Sequence, residues 1–415
     1  MLDGGESSCG ADEHALIASA EAEIHSHIFS RVADEDHEAK MRRVAMALDY
    51  LGDPQDVLRV IHVMGTNGKT STSRMAASLL SAHGLKVGLF TSPHLHTLRE
   101  RIQVDGIPLD QAELVLLWQI VAPVIHRVDA YSARIGGPRM SFFEVLTVLG
   151  IVAFSTARVD VAVIEVGIGG ARDATNVCEG EVAVLTPMGI DHSEYFGGTI
   201  EGVAKEKAGI IKSHATVVTA VQADEVATIL TAVARRSNAT PIWEGAQMSV
   251  ISSEPVAGGR LMTLATAAHA PLVVLDAAHN PHGVAALARA AREVLGDRAT
   301  IGVIAVLADK DARGILEGVS ALVDRVVVTR TSSDRALSAD DLERVAIDAL
   351  GAHRVQRAAD VSLAIAKARD LAGTQGALLV TGSIALVAQA RHELGMTLHG
   401  VGQAGDAASL PARFL

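Results

Sequence analysis

Short apolar segments alternate with longer amphipathic segments along most of this 415-residue chain. Strand-like segments in the first half lie at 60–64, 87–91, 161–165, 182–185 and 217–221. A second set lies at 272–276, 300–307, 325–329 and 377–381, and helical patterns separate the members of both sets. This alternation is typical of parallel strands joined by crossover helices, in a sheet that is buried on both faces. We therefore predict an α/β fold with two doubly wound parallel sheets.

The change of texture between the two sets predicts the domain organisation. We predict a solvated acidic N-terminal extension at 1–37, a first α/β domain at 38–269, a second α/β domain at 270–405 and a tail at 406–415. Before the boundary, residues 248–270 have the pattern of a hairpin with Gly258 and Gly259 at its turn. Because ligands of such sheets bind outside the carboxyl ends of the strands, the functional residues are expected there.

The first apolar strand runs directly into a glycine loop that ends in Lys-Thr. The residues of this loop are Gly65, Thr66, Asn67, Gly68, Lys69, Thr70 and Ser71. Glycines let backbone N–H groups converge on phosphate oxygens, and the following helix presents its positive end. Lys69 adds a positive charge, and the Thr70 hydroxyl is suited to hold Mg²⁺. The loop predicts polyphosphate binding; the alternative is an ordinary glycine turn before a helix at 71–83.

Two further strand ends carry residues with metal-binding chemistry. Strand 161–165 is apolar until Glu165, which is followed by a glycine-rich segment. Its position relative to the phosphate loop is where a Mg²⁺-binding acid usually lies, and a helix cap or salt bridge is the alternative. The next strand leads to Asp191 and His192. A lone histidine is more often packed or solvated, so only its coincidence with Glu165 favours a ligand role for His192.

Lys207 lies on the apolar stripe of a helix predicted at 199–211, together with Ile200 and Val203. A buried lysine requires a reason. The amine can reach the surface by snorkelling, pair with Glu165, or be carbamylated to a carboxylate that binds Mg²⁺. Carbamylation needs the neutral amine, which is a minor species unless burial or a metal favours it. Physical arguments alone favour snorkelling.

Polar residues also follow the apolar strands of the second domain. Asp276 ends one strand, and His279, Asn280 and Pro281 come next. Asn280 and Pro281 suit the N-cap and first turn of a helix, so helix initiation explains them. Asp276 and His279 are not needed for that purpose and are candidate ligand residues. Ser383 opens the last helix, where it either receives a carboxylate or belongs to a structural turn.

The composition narrows the class of protein. Apolar residues make up 49% of the chain. The formal net charge of −12 argues against nucleic-acid binding, because such binding requires a basic face. Cys9 and Cys178 alone provide neither a disulfide framework nor a zinc site. The longest apolar run, at 145–154, is too short to span a bilayer, and the first residues lack a signal-peptide pattern. We expect a cytoplasmic protein without membrane partners.

A series of short motifs occurs in the order found in one ligase family. The motifs are GTNGKT (65–70), TSPHL (91–95), RERI (99–102), FE (143–144), EVGIGG (165–170), DATN (173–176), DH (191–192), EKAGI (206–210), DAAHNP (276–281) and DKD (309–311). Together they resemble the folylpolyglutamate synthase and dihydrofolate synthase family of Mur ligases. The resemblance implies a P-loop-type Mur ligase central domain followed by a Rossmann-like Mur ligase C-terminal domain. TSPHL and DAAHNP point to the folate branch rather than to the cell-wall ligases.

The resemblance implies an ATP-dependent ligase that adds L-glutamate to a folate, to dihydropteroate or to both, through an acyl phosphate. The ATP-binding residues that it implies are Gly65, Thr66, Asn67, Gly68, Lys69, Thr70, Ser71, Asp276 and His279. The implied Mg²⁺ ligands are Thr70, Ser92, Glu165, His192 and carbamylated Lys207. The implied catalytic residues are Lys69, Lys207 and His192, and the implied glutamate-binding residues are His279, Asp311 and Ser383. The family context of Lys207 favours carbamylation over snorkelling.

The chain departs from the family pattern at two places. Residues 264–273 pass almost directly into Asp276, without the family's adenine-contacting Asn and Pro-Gly-Arg linker. The arginine of its Gly-Gly-Arg order is displaced by one position, to Arg172. A non-catalytic nucleotide-binding relative is therefore one alternative, and a Mur-type ligase with another acyl acceptor is a second. For the active ligase, we expect a monomer whose partners are ATP, L-glutamate and the folate or dihydropteroate acceptor.

Overall fold

The computed structural model describes residues 6–32, 37–189, 198–244, 246, 262–264, 271–394 and 413–414. The chain separates into two compact units, residues 1–251 and 252–415. Each unit has its own sheet and hydrophobic core. The boundary predicted at 269/270 and most of the hairpin predicted at 248–270 lie outside the described residues, so both stay predictions.

Unit 1 is built on an eight-stranded sheet. Its strands are β1 (Val60–Met64), β2 (Val87–Phe90), β3 (Ile102–Val104), β4 (Ile107–Pro108), β5 (Val161–Glu165), β6 (Gly180–Leu185), β7 (Thr216–Thr219) and β8 (Thr240–Trp243). Its helices are α1 (Glu6–Phe29), α2 (His37–Tyr50), α3 (Lys69–Ala82), α4 (Gln111–Arg134), α5 (Phe142–Ala157), α6 (Ile200–Lys207) and α7 (Asp224–Arg236). The strand order is β4-β3-β2-β5-β1-β6-β7-β8.

Most of this sheet is parallel, as the alternating pattern predicts. β2, β5, β1, β6, β7 and β8 pair in parallel, and β5 is buried at every position. β3 and β4 instead form an antiparallel edge. They are joined by Asp105 and Gly106, both at positive φ, which is the turn chemistry that a two-residue hairpin requires. The parallel part brings the carboxyl ends of β2, β5 and β1 side by side.

The helix α5 packs against one face of this sheet, and α4 packs against α5. Each begins with a capping box, Asp110 with Glu113 and Ser141 with Glu144, which satisfies the first backbone N–H groups. The apolar run predicted at 145–154 is the buried centre of α5. Of the described residues, α4 alone forms a helix long and apolar enough to cross a membrane by length and composition. Its apolar side is buried against α1, α2 and α5.

The N-terminal helix α1 is not the solvated extension that the sequence predicts. Ile24 and Ile28 are buried in the main core of unit 1, and α1 packs along α4. Beyond the helix, the Arg31 guanidinium lies 2.9 Å from the Asp129 carboxylate of α4, and both side chains are largely buried. The prediction failed because the apolar face of α1 is narrow, and among its described side chains only Glu21, Ile24 and Ile28 are buried.

Unit 2 is built on a seven-stranded sheet. Its strands are β9 (Met262–Leu264), β10 (Leu272–Leu275), β11 (Thr300–Ile304), β12 (Arg325–Val328), β13 (Val355–Arg357), β14 (Ala377–Thr381) and β15 (Arg413–Phe414). Its helices are α8 (Pro281–Leu295), α9 (Ala312–Val319), α10 (Ala339–Leu350), α11 (Val361–Ala372) and α12 (Ile384–Glu393). The strand order is β13-β12-β11-β14-β10-β9-β15.

The helices of unit 2 cover both faces of its sheet. One core cluster joins Val274 and Ile304 to α8, α9 and α10, and a second joins Leu275 and Val380 to α11 and α12. The strands from β13 to β10 are parallel, whereas β9 and β15 are added antiparallel at the edge. Both units are therefore α/β structures with mainly parallel sheets, as predicted.

Candidate active site

The phosphate loop lies between β1 and α3. α3 begins at Lys69, two residues before the predicted start, with Gly68 at the N-cap in the left-handed region (φ 86°). Gly65 also has a positive φ (155°), and a Cβ atom there would lie 1.9 Å from Thr186 Oγ1. Any larger residue at 65 would therefore displace the chain after β6. The predicted strand, glycine loop and helix are present as one unit.

The segment that leaves β6 holds the phosphate loop in place. The backbone N–H of Thr66 donates to the Pro187 carbonyl at 3.1 Å, and the Thr66 hydroxyl bonds with Gly189 at 2.9 Å. The Thr186 hydroxyl donates to the carbonyl of Asn67 at 2.7 Å. These bonds fix the loop before any phosphate binds, so its backbone N–H groups need little rearrangement.

Two lysine ammonium groups converge on one carbonyl of this loop. Lys69 Nζ donates to the Gly65 carbonyl at 3.1 Å and to the Thr66 carbonyl at 3.3 Å. Lys207 Nζ, from the end of α6, donates to the same Gly65 carbonyl at 3.2 Å. Only 5% of Lys207 is exposed, so the snorkelling that physical arguments favoured is wrong. The amine is directed inward because the end of α6 packs against the loop after β5.

Close packing of glycines brings Lys207 to this position. A Cβ atom on Gly170 would lie 2.4 Å from the Glu206 carbonyl oxygen and 2.8 Å from Lys207 Cα. The displaced Arg172 donates from Nε to the Glu206 carboxylate at 2.9 Å, and its backbone N–H donates to the same carboxylate. Arg172 therefore helps to join the loop after β5 to α6.

Glu165, Thr70 and Ser92 form a group of oxygen atoms beside the phosphate loop. Thr70 Oγ1 donates to Glu165 Oε1 at 2.7 Å and lies 3.4 Å from the Ser92 carbonyl oxygen. The Ser92 backbone N–H donates to Glu165 Oε2 at 3.1 Å. Glu165 is almost completely buried. A hydroxyl, a carboxylate and a carbonyl are hard oxygen donors, so this group fits Mg²⁺.

His192 lies outside the described residues, so its predicted place as a metal ligand and catalytic residue stays a prediction. Within the part of the chain that the structure describes, no group of three or more His, Cys, Asp or Glu residues could hold a metal ion. The oxygen group around Glu165 differs from such clusters because two of its three members are a threonine hydroxyl and a backbone carbonyl.

The predicted site residues of unit 2 have local structural roles. Asp276 and Asn280 accept backbone N–H groups two and three residues further on, and Asp311 and Ser383 do the same at the N-caps of α9 and α12. The donors are the backbone N–H groups of Ala278, Gly283, Gly314 and Leu386. His279 Nδ1 lies 3.0 Å from the Ala277 carbonyl oxygen. Helix initiation by Asn280 and Pro281 is confirmed, and the nucleotide and glutamate roles stay predictions.

Comparison with known proteins places this geometry in a family. Residues 124–247 match the Mur ligase middle domain, and residues 259–384 match the Mur ligase glutamate ligase domain. A dihydrofolate synthase/folylpolyglutamate synthase of Mycobacterium tuberculosis is 34% identical over 85% of this chain and 89% of its own length. The chain belongs to the folylpolyglutamate synthase/dihydrofolate synthase family of Mur ligases.

Other members of the family agree in sequence and in fold. A folylpolyglutamate synthase of Lacticaseibacillus casei is 32% identical over 75% of this chain and 85% of its own length. The solved structure of the Mycobacterium tuberculosis folylpolyglutamate synthase complexed with ADP has a TM-score of 0.82 at 32% identity, and the match covers 91% of this chain and 99% of that one. The resemblance seen in the motifs is thus confirmed over nearly the whole chain.

Sequence reasoning missed a cluster of cationic and aromatic residues near Glu165. Arg101 is buried and donates from Nε to His94 Nδ1 at 2.8 Å, and its guanidinium lies 5.1 Å from the centroid of the Phe142 ring. Phe29, from the end of α1, stacks on Phe142 at 5.1 Å. The motifs RERI and TSPHL contain Arg101 and His94, but their meeting with Phe29 and Phe142 depends on the tertiary fold.

Burial shifts the charge states of this cluster. It lowers the pKa of His94 to about 4, with Arg101 as a further cause, so the ring is neutral at pH 7 and accepts the Arg101 N–H. Burial also lowers the pKa of Arg101 to about 10, although the negative charges of Glu165 and Glu100 act in the opposite direction. Arg101 therefore remains a cation beside the oxygen group of Glu165.

Proposed function

We propose that this chain is an ATP-dependent ligase that adds L-glutamate to a folate, to dihydropteroate or to both, through an acyl phosphate. The observation that carries the proposal is the pairing of Thr70 with Glu165 beside a glycine loop whose Gly65 carbonyl accepts from both Lys69 and Lys207. Membership of the folylpolyglutamate synthase/dihydrofolate synthase family supports the same chemistry. The first argument rests on contacts within unit 1, and the second rests on similarity over most of the chain.

In the first step, a carboxylate oxygen of the acceptor attacks the γ-phosphorus of ATP, and the bond to the β–γ bridging oxygen breaks to release ADP. Negative charge builds up on the transferring group, so the protein mainly has to position it and neutralise its charge. We assign the phosphate cradle to residues 65–71. Lys69 leaves its internal carbonyl partners and contacts the phosphates instead.

Thr70, Glu165 and the Ser92 carbonyl are the residues that would hold Mg²⁺ next to the phosphates. When bound, the ion neutralises charge on the phosphate oxygens and helps to orient them. Glu165 supplies the only negative charge among these three groups, so it contributes most to cation affinity. Its buried position excludes water from the same place.

In the second step, the amine of L-glutamate attacks the acyl carbon, phosphate leaves with the electrons of the C–O bond, and the nitrogen loses a proton as the amide forms. We infer that Lys207 acts here or in the first step as a carbamate. The reason is its burial against the phosphate loop, because desolvation favours the neutral amine that reacts with CO₂. The carbamate formed, with loss of a proton, would be an anionic ligand for Mg²⁺. Bicarbonate labelled with ¹³C tests this, because a carbamate gives a carbonyl NMR signal that Lys207→Ala abolishes.

The acceptor is assigned to the cluster of Phe29, His94, Arg101 and Phe142. Aromatic rings offer stacking surfaces to a flat heterocycle, and a buried arginine attracts a carboxylate. Arg101 lies close enough to Glu165 for their charges to interact, so an acceptor held by this cluster has its carboxylate near the phosphate loop.

The decisive assay follows ADP release by the purified chain with Mg²⁺-ATP, with or without L-glutamate, and with dihydropteroate or tetrahydrofolate as acceptor. We expect turnover that requires glutamate and at least one acceptor. ATP binding without turnover on either acceptor would contradict the proposal and favour the non-catalytic relative. Turnover only with a different carboxylic acid would assign the chain to a Mur-type ligase with another acceptor.

The proposal also covers the partners, the cellular compartment and the oligomeric state of the enzyme. Its partners are the small molecules ATP, L-glutamate and the acceptor, and we place the protein in the cytoplasm as a monomer. Sedimentation of the purified chain tests the oligomeric state, and a mass of 43.2 kDa is the expected result.

A further inference from the structure

His62 is a buried histidine to which the proposed chemistry gives no role. It lies in the middle of β1, between β5 and β6, and no part of it is exposed. Its Nε2 atom lies 2.9 Å from Thr175 Oγ1. Its Nδ1 atom has no hydrogen-bond partner among the described residues. A polar ring in a strand that is otherwise apolar has a desolvation cost, so its single bond requires an explanation.

The direction of the bonds follows from the residue at the far end. Thr175 Oγ1 lies 2.5 Å from Asp173 Oδ1, and the backbone N–H of Thr175 donates to the same oxygen at 2.9 Å. Burial raises the pKa of Asp173, but both of its oxygens accept backbone N–H groups, so the Thr175 hydroxyl donates to Oδ1 and must accept from His62 Nε2–H. Burial lowers the pKa of His62 to about 3, and the charge of Lys212 adds to this, so the ring is neutral.

Asp173 holds the loop that begins directly after Glu165. Its Oδ2 atom accepts the backbone N–H of Ile168 at 3.1 Å, and its own backbone N–H donates to the Gly170 carbonyl at 3.2 Å. A Cβ atom on Gly167 would lie 3.1 Å from the same Oδ2. The carboxylate therefore closes residues 167–173 into a compact turn, and the position of that turn determines how the chain leaves Glu165.

We propose that His62 is a positioning residue: through the chain His62 Nε2–H, Thr175 hydroxyl and Asp173 carboxylate, the strand that leads to the phosphate loop fixes the turn that follows Glu165. In this way the phosphate loop and the turn after Glu165, which are remote in sequence, are joined by hydrogen bonds inside the protein. Only the kinetic readout of this inference rests on the proposed ligase activity.

The first test is the protonation of the ring. In full-length protein labelled with ¹⁵N at histidine, the His62 signals are assigned by their loss in His62→Gln. We expect a neutral ring at pH 7 that carries its proton on Nε2. An Nδ1–H tautomer would reverse the polarity of the chain and overturn the inference, and so would an imidazolium ring. This test needs no substrate and no turnover.

The second test separates positioning from packing. Thr175→Val keeps the shape of the side chain but removes the hydroxyl, whereas Thr175→Ser keeps the hydroxyl. We expect Thr175→Val to lower kcat about ten- to a hundredfold at saturating Mg²⁺-ATP, as expected for small errors in the placement of a catalytic carboxylate. Thr175→Ser should stay within about threefold of the parent, which is less than the tenfold change that corresponds to about 1.4 kcal/mol.

His62→Leu and His62→Gln form the corresponding pair, because the glutamine amide can donate from a place close to Nε2. Thr228→Val, which removes an exposed hydroxyl bonded within α7, is the matched control and should change nothing. Full turnover in Thr175→Val, or equal loss in His62→Leu and His62→Gln, would overturn the inference. If His62→Leu does not fold, the comparison of Thr175→Val with Thr175→Ser tests the inference. If the parent protein shows no turnover, the proposed function fails, and the tautomer of His62 then tests the inference about positioning.

Discussion

The two sheets of this protein carry similar polar residues at the ends of their parallel strands, but these residues form different contacts. In unit 1, Thr70 follows β1, Glu165 ends β5 and Ser92 follows β2, and the three bond to one another across neighbouring strands. In unit 2, Asp311 and Ser383 instead accept backbone N–H groups of their own turns, and the Thr381 hydroxyl at the end of β14 donates to a backbone carbonyl, that of Ala278. Helix initiation explains the bonds within a turn in unit 2, but it does not explain the contacts across strands in unit 1.

This difference separates two kinds of experiment. Substitutions in the cross-strand group of unit 1 should reduce turnover and change stability little, because its charges are arranged for a ligand. Substitutions at the caps of unit 2 should reduce stability first. The opposite result in either unit would show that the two sets of residues do not differ in role.

The largest effect is expected from the lysines at the phosphate loop. Lys69→Ala and Lys207→Ala should each lower kcat/KM by about a hundred- to a thousandfold, since each removes a preorganised charge from the site of phosphoryl transfer. Lys205→Ala is the matched control, because Lys205 lies on α6 but pairs with Glu201 at the surface. The assay is glutamate-dependent ADP release. Near-normal activity in Lys207→Ala would show that the reaction does not need a carbamate on Lys207.

A somewhat smaller effect is expected from Glu165→Gln, which keeps the shape and loses the charge. We expect kcat to fall by about a hundredfold and the Mg²⁺ concentration for half-maximal rate to rise, because a neutral amide is a weaker ligand of a hard cation. Glu181→Gln removes an exposed carboxylate that pairs with Arg59 and serves as the control. An unchanged Mg²⁺ dependence would show that Glu165 does not hold the ion.

The buried histidines of unit 1 predict how its stability depends on pH. His62 and His94 have native pKa values of about 3 and about 4, below the ordinary value of 6.5, because they are buried. Below pH 6.5 the unfolded chain takes up protons that the native rings do not. Stability should therefore fall with falling pH, by about 1 kcal/mol for His62 alone between pH 7 and 5.5, with a smaller contribution from the less buried His94.

Urea unfolding at several pH values measures this loss. The only tryptophans, Trp118 and Trp243, both lie in unit 1, so their fluorescence reports the unit that contains the histidines. His62→Gln should flatten the dependence, whereas the exposed His353→Gln should not. A stability that is equal at pH 7 and 5.5 would contradict the buried neutral state of His62.

The smallest effects are expected at the caps of unit 2. Asp311→Ala should cost about 1 kcal/mol of stability, and Asp311→Asn should restore most of it, because both Asp and Asn cap helices well. Thermal unfolding measures this. The proposed contact with glutamate adds a sharper readout, since it predicts that Asp311→Asn raises the KM for glutamate without loss of stability. An unchanged KM would restrict Asp311 to capping.

Much of the fold could be predicted because it depends on local patterns. Strands 161–165 and 377–381 were predicted at their observed bounds, and the phosphate loop was recognised from its glycines. Asp105 and Gly106 are typical residues of a hairpin turn, but the hairpin of β3 and β4 was not among the predicted elements. Periodicity alone could not reveal the burial of α1, because its apolar face is narrow and its partner α4 is far along the chain.

The candidate site was only partly predictable for a related reason. Glu165 and Thr70 follow apolar strands, so topology brings them together. Arg101 and His94 lie only seven residues apart, but the approach of Phe29 to them depends on the packing of α1, and no spacing in the sequence reports it. The position of Lys207 on the apolar face of its helix could be predicted from the spacing of apolar residues. The direction of its amine could not, because it depends on the packing of Gly170 against α6.

The central step of the proposed reaction is the transfer of phosphate from ATP to the acceptor carboxylate at the phosphate loop of unit 1. An acceptor labelled with ¹⁸O in its carboxylate, incubated with the enzyme, Mg²⁺-ATP and L-glutamate, tests this directly. Mass spectrometry of the released phosphate should find one ¹⁸O atom for each amide formed, because the acyl C–O bond breaks in the second step. Amide formation with unlabelled phosphate would contradict the account.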